Sequence, residues 1–276
     1  MSADATIVKR PAAKKRGWTW ARILGAAGIA IWVALGIVVV DLLVSEYKPS
    51  FYARYGPRIL GGLWTTIQLV VLSVGIGVLI AVPVTFARAS KSRLIGALAF
   101  AYVYFFRGTP LLAQTFLVYY GAGQFREALE SVYLWWFFRD AFNCAVLTFA
   151  LNTSAYQAEI FRGAIDSVPR GQREAGEALG LSRWRIFRNV VAPQAMIIAL
   201  RPFGNEIILM IKGSAIASVI TVFDLMGETK LAFSRTYDFQ VYLWAAVLYL
   251  LMVEILRRVW DKLEERLTRH LKRSSD

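Results

Sequence analysis

Long uncharged runs dominate what this chain can become. Ile23–Val40 passes 18 residues without a charged side chain, and Ile59–Ala87 passes 29. Leu94–Phe125 is interrupted only by Arg107, Ala141–Ala158 adds another 18 residues and Phe239–Val253 a further 15. A helix needs roughly 20 mostly apolar residues to cross about 30 Å of hydrocarbon. Lipid offers backbone N–H and C=O groups no partner, so such runs must become helices or the walls of a closed barrel. Barrel strands alternate over about ten residues, and these runs are too long and too uniform for that. The expected class is an all-α membrane protein with about six transmembrane helices, near 22–44, 59–87, 94–121, 139–161, 193–213 and 239–257. The fifth is the weakest, because Arg201, Glu206 and Lys212 interrupt it.

Charge then orients the spans. A net charge of +13 would point a soluble protein towards nucleic acid. Here 22 of the 32 Lys and Arg lie in the tail to Arg22 and in 87–93, 162–190 and 257–276, whereas the alternate loops hold 7. That bias is a positive-inside signature placing both termini in the cytoplasm. The basic segments are topology determinants, with contact to membrane lipids a secondary role and nucleic acid excluded as a partner. The first apolar run exceeds a signal-peptide core of ~7–15 residues and no cleavage site follows it, so it reads as a retained helix. The expected organisation is a cytoplasmic basic tail at 1–21, an additional amino-terminal helix at 22–44, a transmembrane domain at 58–260 and a charged cytoplasmic tail at 261–276.

Several chemistries are out of reach. His270 is the only histidine and lies in the charged tail, so a membrane zinc centre or a Ser–His nucleophile lacks its imidazole. No GxxxxGK[ST] is present for nucleotide binding. Cys144, the one cysteine, has no partner for an internal disulfide. No cofactor is expected in this chain, and uphill transport would draw energy from a partner.

The longest internal cytoplasmic loop, about 162–192, contains "REAGEALGLSRWRIFRNVVAPQA" from Arg173. Ser167 and Pro169 read as a helix start, Gly180 as a left-handed stop, and Ser182 as the cap of a second helix. The result is two short helices with a glycine elbow. Ala175, Ala178 and Leu179 give a low-relief face that suits another protein's groove. Gly176 lowers helix propensity by about 1 kcal/mol relative to alanine, which suggests a close approach there. Arg183, Arg185 and Arg188 with Trp184 and Phe187 suit a membrane interface. Docking to a partner and resting on the bilayer both fit these residues.

The spacing Glu174-Ala175-Gly176, three residues, Gly180, nine residues, Val190, one residue, Ala192-Pro193 resembles the EAA loop of ABC importer permeases, whose pattern is EAA, then G, then I-x-L-P. Gly176, Val190 and Ala192 depart from it by small-for-similar changes. "GLWTTIQLVVLSVGIGVLIAV" from Gly62, "FRGTPLLAQTFLVYYG" from Phe106, "SAYQAEIFRGAIDSVPRGQREA" from Ser154 and "NEIILMIKGSAIASVI" from Asn205 are similar to the polar amino-acid branch of that family. Gly213-Ser214-Ala215-Ile216 departs from the branch's usual "LKxTSL". The resemblance implies a type I ABC importer permease whose coupling helix enters a cleft of a cytoplasmic ATPase through Glu174, Ala175, Gly176, Ala178, Leu179, Gly180 and Pro193. It implies two ATPase subunits carrying ATP and magnesium, and a second permease, identical or paralogous. It also implies a periplasmic or lipid-anchored solute-binding protein, a polar amino acid or opine as substrate, and residence in the bacterial inner membrane. This chain itself would carry out no covalent chemistry. The alternative is an ion-coupled secondary transporter with Glu159 and Arg107 in an ion relay.

Polar residues inside spans cost roughly 2.5–3.5 kcal/mol each when charged and so face protein or water. Thr148, Asn152, Tyr156 (or Ala155), Glu159, Gly163 and Asp166 follow helical steps and form a polar stripe on the fourth span. Glu159 suits a substrate ammonium or cationic side chain, or a structural pair with Arg162 or Arg107. Arg107 opens "RGTP", where Gly108 and Pro110 should break the third span. It is expected to pair with an acidic residue on a neighbouring span, the alternative being a substrate carboxylate. Asn152, Tyr156, Glu159, Arg107 and Asp166 are the candidate pathway residues. Thr65, Gln68 and Gly75 are expected to form a helix-packing stripe on the second span, and Trp135–Phe138 an outer aromatic belt.

Overall fold

The computed structural model describes residues 19–45 and 49–272. Most of the expected amino-terminal basic tail and the last four residues of the carboxyl-terminal one lie outside the described residues. The chain divides into two units, 1–47 and 48–276. The first contains one helix, α1 (Trp20–Ser45), with mean hydropathy 2.6 over its most apolar stretch.

The second unit is a helical bundle. Its elements are α2 (Pro49–Arg88), α3 (Arg93–Gly108), α4 (Leu111–Gln124), the short α5 (Arg126–Ser131) and α6 (Trp135–Phe138), and α7 (Ala141–Asp166). They continue with α8 (Arg170–Ala178), α9 (Arg183–Ile186), a π turn at Phe187–Val191, α10 (Ala192–Gly213), a 3₁₀ segment at Ser214–Ile220, α11 (Leu225–Thr236) and α12 (Gln240–Lys272). Among the described residues, four helices are long and apolar enough to cross a membrane, and α3 with α4 make a fifth if counted as one span bent by 103°. The run α9–α10, weakest by sequence, is one of the four.

The expected fourth span is α7, whose 26 residues rise about 39 Å. It lacks the apolarity of the others for a structural reason. α7 is the hub on which α2, α3, α4, α6 and α10 pack, so its surface meets protein rather than lipid. Phe149 and Ala145 are fully buried there, and so are Thr148, Thr153, Ser154 and Gln157. Asp140 starts the helix by accepting the Asn143 N–H at 2.8 Å, which satisfies one of the donors that a helix start leaves free.

α2 meets α7 along a seam of small residues, and it is not the expected one. Ser73, Gly77, Ala81 and Thr85 are buried at helical spacing, with Gly62 and Thr66 buried further up α2 against the start of α11, whereas Gln68 and Gly75 are exposed and Thr65 is half-buried. At Gly77 a Cβ would stand 2.7 Å from the Thr153 methyl, so only glycine permits this approach. Ser73 and Thr85 donate across the seam to the carbonyls of Val146 (3.4 Å) and Ala158 (3.2 Å). Close backbone approach plus such bonds replaces the hydrophobic drive that helices lack inside lipid.

Candidate functional site

Two features stand out, a cavity beside α7 and the elbow beyond its carboxyl end. The cavity begins with the break between α3 and α4. Pro110 cannot continue the α3 ladder and the chain turns at Gly108–Pro110. The turn leaves carbonyls exposed to an apolar interior, and two amides answer them. The Gln114 amide donates to Phe106 O (3.0 Å), Thr109 O (3.1 Å) and Thr109 Oγ1 (2.7 Å). Asn152 of α7 donates to the same Phe106 carbonyl (2.9 Å) and to Gln114 Oε1 (3.0 Å). The break is therefore fixed, and the side chain beside it is Arg107.

Arg88, Phe100, Val103, Tyr104, Arg107, Gly108, Tyr156 and Glu159 line a cavity of roughly 300 Å³. Tyr156 donates to the Arg107 carbonyl at 3.5 Å, and the Arg107 guanidinium lies 5.2 Å from the Tyr156 ring centre. The expected ion pair of Arg107 is not formed: its cation rests on an aromatic face. Glu159, by comparison, is already paired. Arg88 reaches it at 3.2 Å and Arg162 at 2.8 Å, while Arg162 also holds Asp166 at 3.1 Å. Arg88 in turn lies over Phe100, 4.9 Å from its ring centre. The cavity thus carries two guanidiniums against one already paired carboxylate.

The five candidate pathway residues separate accordingly. Arg107, Tyr156 and Glu159 line the cavity. Asn152 is buried behind it, occupied with the helix break, and Asp166 is exposed beyond the last turn of the stripe. The sequence alone does not mark Arg88, Phe100, Val103 or Tyr104 as cavity residues. Arg88 belongs to the 87–93 charge cluster that determines topology, so its one available signal was already assigned.

The elbow is built as a capped pair of turns. α8 ends in a Schellman arrangement: Leu181 N–H donates to Gly176 O (3.1 Å) and Gly180 N–H to Glu177 O (2.9 Å), with Gly180 at φ +69°. Ser182 occupies the N-cap position of α9 without a side-chain cap bond. Gly176 makes its close approach inside this chain: a Cβ there would stand 2.8 Å from Ile186 Cγ1, so the glycine seats α8 on α9. Glu174, Ala175, Ala178, Leu179 and Gly180 remain exposed, Leu179 at 78%.

The elbow is joined to two long helices. Ala164 at the end of α7, Val168 just beyond it, Ile186 of α9, Val191 of the π turn, and Ala195 and Ala199 at the start of α10 form one buried apolar cluster. Arg173 donates to the Ile165 carbonyl at 2.9 Å. Pro193, exposed on the first turn of α10, has no N–H for the Asn189 carbonyl one turn back, and the ladder widens to a π turn in which Ala192 N–H reaches Phe187 O. That widening sets the angle between elbow and α10.

Comparison with known proteins places this architecture. Residues 73–269 match the family described as binding-protein-dependent transport system inner membrane component. The chain is 44% identical over 204 residues to the nopaline transport system permease protein of Agrobacterium fabrum, covering 74% of this chain and 85% of that protein. It is 37% identical over 238 residues to the histidine/lysine/arginine/ornithine transport system permease protein of Escherichia coli, covering 86% and 99%. A crystal structure of an amino acid ABC transporter with histidines superposes with TM-score 0.72 at 35% identity, over 80% of this chain and 99% of that one. The inward-facing MetNI methionine ABC transporter shares the fold, with TM-score 0.64 at 18% identity over 76% of this chain and 96% of that one. With its family model spanning most of the bundle, this chain belongs to the binding-protein-dependent transport system inner membrane components.

Proposed function

We propose that this permease forms, with a second identical or paralogous permease, the pathway of an ATP-driven importer for a polar amino acid or related compound. A solute-binding protein delivers the substrate on one side of the inner membrane. Two ATPase subunits, which carry the ATP and magnesium, grip the elbow on the cytoplasmic side, where both termini also lie. The permease is not itself an enzyme. The observation that carries this reading is the elbow: an exposed capped helix pair continuous with α7 and α10 through one buried cluster. A force applied at Glu174, Ala175, Ala178, Leu179 or Gly180 moves both helices together. Gly176 and Pro193 act from within, one seating α8 on α9 and the other setting the turn into α10.

The cavity gives the substrate its orientation. Arg107 is the cation without a carboxylate, so the carboxylate common to amino acids and their derivatives binds there, beside Tyr156. Glu159 holds Arg88 and Arg162 in place. Asn152 fixes the break that presents Arg107, and Asp166 steadies Arg162 from outside the cavity. Among the names of relatives, nopaline and histidine/lysine/arginine/ornithine agree with a carboxylate-bearing solute.

The test is competition for uptake in a strain lacking its own system. Candidate amino acids should compete and their methyl esters should not, and Arg107→Gln should raise the apparent KM about tenfold with unchanged membrane yield. Equal competition by acid and ester would reject the carboxylate assignment.

A further inference from the structure

The elbow carries a basic segment beyond its exposed tip. Arg183, Arg185 and Arg188 are exposed, and among the described residues none of them forms an ion pair. Elsewhere in the bundle Arg162, Arg201, Arg257 and Arg258 each hold a carboxylate at 3.0 Å or less, while exposed Arg93 and Arg170 likewise form no ion pair among the described residues. Between the three free cations stands Trp184, 64% exposed and stacked on Phe187 with ring centres 5.9 Å apart. Ile186 and Val191 are buried, so the segment is held by its apolar side and its cations and indole are left outward.

The surroundings identify what covers this surface. Phe187 meets Phe86 of α2 edge-on at 5.7 Å. Phe86 is the last member of an exposed apolar strip, Leu79, Val82 and Phe86, at helical spacing on a helix that is long and apolar enough to cross the membrane. Passing along the strip one meets aliphatic side chains and then the Phe86–Phe187–Trp184 aromatics, on the same short segment as the three exposed arginines. Hydrocarbon, interface and headgroup follow in that order across a bilayer leaflet. Exposed Lys91 and Arg93 follow Phe86 in the turn between α2 and α3 and add positive charge beyond the end of the strip.

We propose that α9 and the π turn form a headgroup site for anionic phospholipids. Arg183, Arg185 and Arg188 bind phosphate oxygens, Arg through its paired N–H groups, and Trp184 lies at the interface. The lipid anchors the base of the elbow while its tip, Glu174 to Gly180, stays free for a protein partner. Each basic residue near an anionic surface contributes on the order of fivefold in affinity, so losing all three should weaken lipid retention roughly a hundredfold.

The experiment uses the whole importer, purified with its ATPase and placed in nanodiscs of phosphatidylcholine with added phosphatidylglycerol. Native mass spectrometry then counts retained phosphatidylglycerol. Wild type, Arg183→Lys/Arg185→Lys/Arg188→Lys, and the equally neutralised control Lys262→Gln/Arg266→Gln/Arg269→Gln should all retain it. Arg183→Gln/Arg185→Gln/Arg188→Gln should lose it while remaining monodisperse and keeping its ATPase. Retention equal to wild type overturns the proposal. So does loss of the ATPase with phosphatidylglycerol unchanged, which would mean that the three arginines face an acidic protein surface instead. A triple glutamine variant that fails to fold leaves the decision to Trp184→Ala, expected to cut retention severalfold; no change there overturns the proposal as well.

Discussion

The two ends of the bundle use the same devices to opposite purpose. At the elbow, a left-handed glycine, a close glycine contact and a proline build a structure that stands out from the protein. At the other end, around the start of α11, similar devices close the bundle. Asp224 is fully buried and caps α11 through Gly227 N–H at 2.8 Å. Thr66 of α2 accepts the Leu225 N–H at 3.0 Å, and Tyr249 of α12 reaches the Asp224 carboxyl at 3.4 Å. Gly62 lets α2 pass so near that a Cβ would stand 2.7 Å from Asp224 O. Three elements meet at one carboxyl group with no surface left over. The difference teaches where motion is to be expected: the elbow stands out from the bundle and passes a displacement to α7 and α10 through one buried cluster, and the Asp224 junction resists because its groups are partnered within the bundle.

Substitutions at the two ends should therefore fail in different ways. The largest loss of fold is expected for Gly227→Val. A Cβ at Gly227 would stand 2.3 Å from the Val222 carbonyl, a backbone atom that cannot yield cheaply. Overpacking of this kind costs ~1–3 kcal/mol or more, so membrane yield and thermal stability should both fall. Gly180→Leu should do the reverse. Nothing lies within 4 Å of its Cβ position, and the left-handed backbone costs about 1–2 kcal/mol. Uptake should be abolished while insertion and yield persist, and normal uptake would remove the elbow's role.

The third expectation is a pH effect confined to the closed end. Burial pushes the Asp224 carboxyl up from 3.8 to about 6, against the hydrogen bonds that it accepts from Gly227 and Met226. Folded protein then binds the proton more tightly than unfolded chain. Stability from this group is full below about 3.8 and is lost as pH rises through 6, a difference on the order of 2–3 kcal/mol. Thermal melts of the detergent-solubilised protein should shift upward between pH 7 and pH 5, and Asp224→Asn should flatten that slope. A slope unchanged in the variant would assign it elsewhere. The smallest effect is expected for Arg173→Ala, which removes one tether from the elbow to the Ile165 carbonyl. Uptake should drop a few-fold with melting unchanged; a lower melting temperature would mean that the elbow supports the bundle as well.

Much of this contrast is legible in sequence at the elbow and little of it at the closed end. Gly180, Pro169 and the Glu174–Gly180 spacing carry local backbone signals, and local backbone rules need no knowledge of the fold. Gly108 and Pro110 likewise announce the break that the structure bends by 103°. Helix faces are another matter. On α2 both the lipid-facing and protein-facing sides are apolar, so periodicity does not separate Thr65, Gln68 and Gly75 from the buried Gly62, Thr66, Ser73 and Gly77. In sequence Asn152 reads as a pathway residue because polarity inside a span signals either water or a buried backbone partner, and here the partner is Phe106 O. Arg107 lacks its expected carboxylate because Glu159 is taken by Arg88 and Arg162. The Asp224 junction depends on residues more than 150 positions apart, and no local pattern encodes that meeting.

The central claim is that the elbow is the handle by which ATPase subunits move α7 and α10. Its most direct test is a mild-detergent pull-down of the tagged permease from native membranes, comparing wild type with a Glu174→Ala/Gly180→Leu variant. An ATPase recovered with wild type and lost with an equally monodisperse variant is the expected result. Equal recovery from both, or no ATPase with folded wild type, would contradict it.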